Sequence, residues 1–321
     1  MILNMLNYEL VQTKKKDPFL VKEAGTESVW RTRVRPTTIR AVARAPTAGA
    51  ELAVSMRGVG LTFAAGSARS RQILANIDLE VRAGEFVCIV GPSGSGKTTL
   101  LRMLAGLARP SAGEITFYGE PIVAPSRERA IIFQDYSKAL LPWRTVEANV
   151  ALSLEARKIV HTQRGAIVAD LLTKMGLEHA AQQYPGQLSG GMQQRVQIAR
   201  CLAQDPKILL MDEPFGALDA MTRQTLQDEI LQIAADKRTT VVFITHDLEE
   251  AIYLGDRVVV LGGTPATIIE AIDVALPRPR DQLTTREDQR FLAHRHRLFG
   301  LLVHDRIKRK PNVHSTPGRL D

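Results

Sequence analysis

The stretch GPSGSGKTT, residues 91–99, brings together the residue types that hold phosphate. Gly91, Gly96, Lys97 and Thr98 fall at the spacing G-x-x-x-x-G-K-[ST], with Pro92, Ser93, Gly94 and Ser95 between them and Thr99 after. Small residues let successive backbone N–H groups point inward at phosphate oxygens. Lys97 supplies a movable cation for the terminal phosphates, and the Thr98 hydroxyl is a ligand for Mg²⁺. A second group, Asp212 and Glu213 in KILLMDEP, offers two carboxylates with separable tasks. Asp212 suits a Mg²⁺ partner, and Glu213 suits the acceptance of a proton from an attacking water. His246 in THD is a third polar residue of this kind, although a lone histidine beside a helix start is more often a cap or a solvated group. Finally LSGGMQQR, residues 188–195, places Gly190 and Gly191 where a helix should begin. Glycine costs about 1 kcal/mol against alanine in a helix, so the pair implies that something approaches the backbone closely, and the free N–H groups of a helix start make that something an anion.

These residues must be positioned by strands and helices, and the pattern supplies them. NIDLEV reads as an alternating strand, Ala83–Gly84 as a turn, EFVCIV as a buried strand, and the segment after the glycine loop as an amphipathic helix. Strand, loop and helix in that order are the context the phosphate motif requires. KILLMD and RTTVVFIT read as further buried strands, so their polar ends fall at the carboxyl edge of a parallel sheet, where ligands bind. LEEAIYL after His246 reads as a short helix stopped at Gly255, followed by another strand. The expectation is an α/β fold that binds a nucleoside triphosphate.

The 321 residues, 45% hydrophobic and 24% charged, suffice for one large domain or two modest ones. No run of apolar residues is long enough to span a bilayer, and the start lacks the apolar core of a secretory signal. Cys88 and Cys201 both lie in apolar periodic segments, as reduced core thiols of a cytosolic protein do. The net charge of +8 is unevenly spread: nine Lys/Arg stand against four Asp/Glu in residues 1–50 and five against two in 304–321. Between them the count balances at 28 against 28, so the basicity belongs to the ends rather than to a nucleic-acid face.

The ordered set of motifs resembles the ATP-binding subunit of ATP-binding cassette (ABC) transporters, over roughly residues 51–300. GPSGSGKTT resembles that family's Walker A, Gln134 in IIFQD its Q-loop, LSGGMQQR its signature, ILLMDEP its Walker B, and Gly216 to Asp219 its D-loop. The resemblance implies an α/β P-loop NTPase core of RecA-like type, with an antiparallel β-subdomain and a helical insertion at about 137–204. It implies ATP and Mg²⁺ as ligands, with Thr98, Gln134 and Asp212 on the metal side. It implies Glu213, His246 and Gln134 as the hydrolytic group, His246 being the switch histidine. Phe63 in GLTF falls where the family stacks an aromatic on adenine, and a strand-facing core Phe competes for the same position.

Two cassettes in this family pack head to tail, so that Ser189, Gly190, Gly191 and Asp219 of one copy would complete the site of the other. The implied partners are a second copy of the chain, integral-membrane permease subunits and, indirectly, a solute-binding protein, at the cytoplasmic face of the membrane. Leu140, Leu141, Pro142 and Trp143 either pack the insertion's own core or meet the permease. LPWRTV together with LPRPR, Leu276 to Arg280, resembles the nitrate, sulfonate and taurine importer branch, which tilts Trp143 and Arg144 toward the permease and makes a small anion the expected cargo. The domain is expected over 51–303, after a disordered extension at 1–50 and before a basic tail at 304–321. The competing function is a nucleic-acid-associated cassette ATPase. The single Walker A and the ninety residues from Thr98 to Leu188, too few for a long coiled coil, argue against it.

Overall fold

The computed structural model describes residues 51–63, 70–135 and 139–309, so the expectation for 1–50 and the part of the basic tail beyond 309 lie outside the described residues. Its order opens with β1 (Leu52–Phe63), β2 (Arg71–Arg82), β3 (Phe86–Val90) and α1 (Lys97–Leu104). β4 (Ala112–Phe117), β5 (Glu120–Pro121) and β6 (Arg129–Ile132) come next. Three helices then intervene, α2 (Val146–Ala156), α3 (His161–Lys174) and α4 (Gly190–Ala203). The remainder is β7 (Ile208–Asp212), α5 (Ala220–Lys237), β8 (Thr240–Ile244), α6 (Leu248–Leu254), β9 (Arg257–Gly262), β10 (Thr267–Asp273), α7 (Thr284–Glu287) and α8 (Gln289–Arg309).

Two sheets result. An antiparallel one runs β2–β1–β4–β5, and a second of six strands runs β10–β9–β3–β8–β7–β6, parallel except for β10. The parallel strands are apolar without alternation because both of their faces are covered. In β3, Phe86, Cys88 and Val90 join the core beneath α4, α5 and α6, while Val87 and Ile89 join the core shared with α1 and the antiparallel sheet. β7, β8 and β9 divide their residues between the two cores in the same way. Both cysteines are buried and unbridged, and burial pushes their thiols up, Cys201 to about 11.

The insertion's helices extend the first core through Val146, Val150, Leu154, Val168 and Leu172. Its entry loop is shaped by Asn149, which is fully buried. The Asn149 amide donates to the carbonyls of Leu141, Arg144 and Thr145 and accepts from the Leu141 N–H. That knot sends the two ends of LLPW in opposite directions: Leu140 is buried and Trp143 is 71% exposed.

At the other end α8 continues to Arg309, so residues 304–309 are helix rather than tail. Asp305 holds it there, buried and accepting from the Gly263 N–H at 2.8 Å in the turn after β9. No helix among the described residues is long and apolar enough to cross a membrane.

Candidate active site

The carboxyl ends of β3, β7 and β8 reach one edge of the parallel sheet, and each delivers one of the expected groups. An open cavity of about 600 Å³ lies there, lined by Ser93, Gly94 and Gly96 to Thr99 of the glycine loop together with Phe63, Gln134, Glu213 and His246.

The loop is shaped by its glycines. Gly96 has φ +84° and closes the turn into α1; a Cβ there would stand 2.7 Å from the Leu74 side chain. Gly94, at φ +76°, has nothing within 4 Å of that position, which leaves its backbone open to a ligand. The Lys97 ammonium is buried and donates to the carbonyls of Gly91 at 2.9 Å and Pro92 at 3.0 Å. It therefore arches across the loop it serves. The first turn of α1, Lys97 to Thr99, lines the same concavity, and the N–H groups of a helix start favour an anion.

Asp212 ends β7 and is 3% exposed. Burial raises its carboxyl above the ordinary aspartate range and Glu213 pushes the same way, against a hydrogen bond from the Thr98 hydroxyl and the charge of Lys97. A buried carboxylate bonded to the hydroxyl that begins the phosphate helix is a donor set for a hard cation. No cluster of three or more His, Cys, Asp or Glu able to hold a metal occurs among the described residues. The residues thus fit Mg²⁺ carried mainly by phosphate and water oxygens, with one hydroxyl and one carboxylate from the chain.

Glu213 departs from the strand in the left-handed region, φ +47°. For a residue with a full side chain this costs on the order of 1–3 kcal/mol, and such strain persists where the surroundings enforce it. Its N–H donates to the Ile244 carbonyl at 3.0 Å, and the turn aims the carboxyl into the cavity. Two side chains meet it there. His246 Nδ1 lies 3.0 Å from Glu213 Oε2, and Gln134 Nε2 donates to the same oxygen at 3.3 Å. The histidine is not a cap: Asp247 caps α6, accepting from the Glu249 and Glu250 N–H groups.

Phe63 is 54% exposed at the cavity's mouth beside Ile73, so it is not a core residue of β1. Ile73 is a lining residue that the sequence reading missed; one apolar residue in an alternating strand carries no signal of its own.

Ser189, Gly190, Gly191 and Asp219 do not line this cavity. Ser189 is the N-cap of α4, accepting from the Met192 N–H at 3.3 Å, and Asp219 caps α5, accepting from the Thr222 N–H at 3.0 Å. A Cβ on Gly191 would come within 2.9 Å of Leu218 Cδ2, so that glycine also serves the chain's own packing between two motifs.

LPRPR turns out to be a clamp. Arg278 pairs with Asp256 at 2.6 Å, and the buried Arg280 guanidinium donates to the carbonyls of Ile252, Tyr253 and Gly255, closing the C-terminus of α6. Burial and the neighbouring Arg278 push Arg280 down to about 10. These arginines are engaged within the chain, where they hold the end of α6.

A family model described as ABC transporter matches residues 74–216. The chain is 48% identical over 235 residues to an uncharacterized ABC transporter ATP-binding protein of Methanocaldococcus jannaschii, covering 73% of this chain and 86% of that protein. It is 41% identical over 266 residues to the nitrate transport protein NasD of Klebsiella oxytoca, covering 81% of this chain and 98% of the relative. Among solved structures it is similar to the dimeric post-hydrolysis state of the ATP-binding cassette MJ0796 bound to ADP and Pi. That match has a TM-score of 0.63 and 32% identity, over 69% of this chain and 98% of that one. A phosphate loop, an acidic strand end and a polar sheet edge in this order, with relatives matched over nearly their whole length, place the chain in the ABC transporter family of ATP-binding proteins.

Proposed function

We propose that this protein hydrolyses ATP and passes the energy to separate membrane subunits that import a small oxyanion such as nitrate. The observation that carries the hydrolytic reading is the convergence of Gln134 and His246 on one oxygen of Glu213, in the cavity that also holds Lys97 and Thr98. With Oε2 anchored by two partners, Oε1 is left to take a proton from water, and the carboxylate cannot swing away from the γ-phosphate. The glycine-loop N–H groups and Lys97 bind the phosphates, Phe63 stacks on the base, and His246 presents Nε2 toward the transferred group. Thr98 and Asp212 would hold Mg²⁺, with Gln134 beside them, and the bound ion would supply positive charge to the phosphate oxygens.

Signature residues that stand outside their own chain's cavity support a head-to-tail dimer in which Ser189, Gly190, Gly191 and Asp219 close the neighbour's site. The importer role and the cytoplasmic face of the membrane as its location rest on relatives such as the nitrate transport protein. Exposed Trp143, beside an Arg144 that is paired to Glu155, supports a permease contact on the insertion. The relatives favour the importer reading over the nucleic-acid alternative.

Purified protein is expected to release phosphate from ATP, and Lys97→Ala to weaken ATP affinity about tenfold or more through the loss of a charged hydrogen-bond donor. Unaltered affinity in a folded Lys97→Ala protein would remove the loop from nucleotide binding.

A further inference from the structure

His246 stands between two residues that are tied to each other. The Thr245 hydroxyl accepts from the Asp247 N–H at 3.0 Å and donates to Glu250 Oε2 at 2.5 Å. Thr245 is 2% exposed, so no solvent competes for that hydroxyl. A hydroxyl has one proton, and Glu250 fixes where it points. That choice leaves a lone pair for the Asp247 N–H and thereby sets the turn in which His246 sits.

Glu250 is a buried carboxyl on α6 that the hydrolytic mechanism does not use. Burial raises its pKa, and the Thr245 and Gln227 bonds hold it down. Its second oxygen accepts from Gln227 Nε2 on α5 at 2.9 Å, and Gln227 is 1% exposed. The Gln227 amide oxygen in turn faces donors from Gln282 and Arg286. Arg286 and Arg295 also grip Glu249, the neighbour of Glu250, at 3.0 and 2.9 Å. Every amide and carboxyl orientation in this chain of bonds is dictated by the next.

We propose that Glu250 is a positioning residue for His246: through Thr245 it holds the histidine on Glu213, and Gln227 with the α7–α8 segment holds Glu250. The proposal rests on the hydrolytic reading of His246. Thr245→Val keeps the side-chain volume and deletes the hydroxyl, so it frees the turn without opening a cavity. Thr245→Ser restores the hydroxyl. Glu250→Gln is nearly isosteric but keeps only one acceptor oxygen, so its NH₂ either meets Gln227 Nε2 or donates to the Thr245 hydroxyl, which then no longer has Glu250 to fix its proton.

The test measures kcat, KM for ATP and nucleotide affinity for these variants, alone and combined with His246→Ala. Thr245→Val is expected to lower kcat roughly tenfold or more while ATP affinity stays within about twofold, and Thr245→Ser to recover most of the turnover. In the His246→Ala background Thr245→Val should cost nothing further, because a positioning residue has nothing left to position. Equal losses in both backgrounds, or wild-type turnover in Thr245→Val, would overturn the proposal. If Thr245→Val does not fold, Glu250→Gln is read in the same two backgrounds against the same outcomes. Full turnover in His246→Ala alone would instead sink the hydrolytic reading, which keeps the two failures distinguishable.

Discussion

Glu213 carries the most chemistry for a single residue, and its surroundings explain why. A left-handed backbone, an N–H bonded to β8, and a carboxyl oxygen gripped from two directions leave it little freedom. Lys97 and Thr98 were legible in the sequence because one short motif spells them, and Asp212 because it ends an apolar run that reads as a buried strand. The convergence of Gln134 and His246 on one oxygen was not, since they lie 79 and 33 positions from Glu213 and meet only through the order of strands. The mechanism predicts that Glu213→Gln binds ATP with near wild-type affinity, because the phosphate contacts survive, while kcat falls roughly a hundredfold or more with the loss of the proton acceptor. Single-turnover phosphate release alongside equilibrium nucleotide binding checks this, and turnover close to wild type would take the role away from Glu213.

At the scale of elements, the buried strands and the helix after the glycine loop were readable from apolar runs and turn residues. The clamp on α6 was not. LPRPR pointed by resemblance to an importer branch, in keeping with the nitrate transport relative, but it did not say that Arg278 pairs with Asp256 and Arg280 with three carbonyls at a helix end. A buried arginine in sequence looks like any other arginine, and only the fold reveals which carbonyls lack partners. Arg280→Met keeps much of the apolar stem and removes the donors. It is expected to lower stability by about 3 kcal/mol, as loss of a charged donor to several buried acceptors does. Reversible denaturant unfolding measures it, and a change below about 0.5 kcal/mol would show that water replaces the guanidinium freely. Gly191 makes a similar point: the anion-site reading of the paired glycines left out the neighbouring Leu218, whose side chain would have to shift to admit a Cβ there.

For the whole molecule, two sheets sharing one core place the nucleotide cavity at the edge of the parallel sheet, and the signature at the start of α4 is not part of its lining. The family resemblance already divided the site between two copies, and the fold agrees to the extent that Ser189, Gly190, Gly191 and Asp219 are absent from the lining of their own chain's cavity. One solved structure that this chain resembles is a dimer bound to ADP and Pi. Shared sites make turnover depend on protein concentration, since dilution separates the copies. They also make complementary defects repairable. Lys97→Ala abolishes the phosphate loop of one copy, and Ser189→Arg blocks the signature of the other. A heterodimer of the two has one site with both parts intact and one with neither. The most direct measurement is therefore ATPase activity of the two inactive variants mixed in equal amounts. The account predicts recovery to about a quarter of wild type for independent sites, because half of the dimers are mixed and each has one working site of two; no recovery at any ratio, with wild-type turnover per molecule unchanged on dilution, would contradict it.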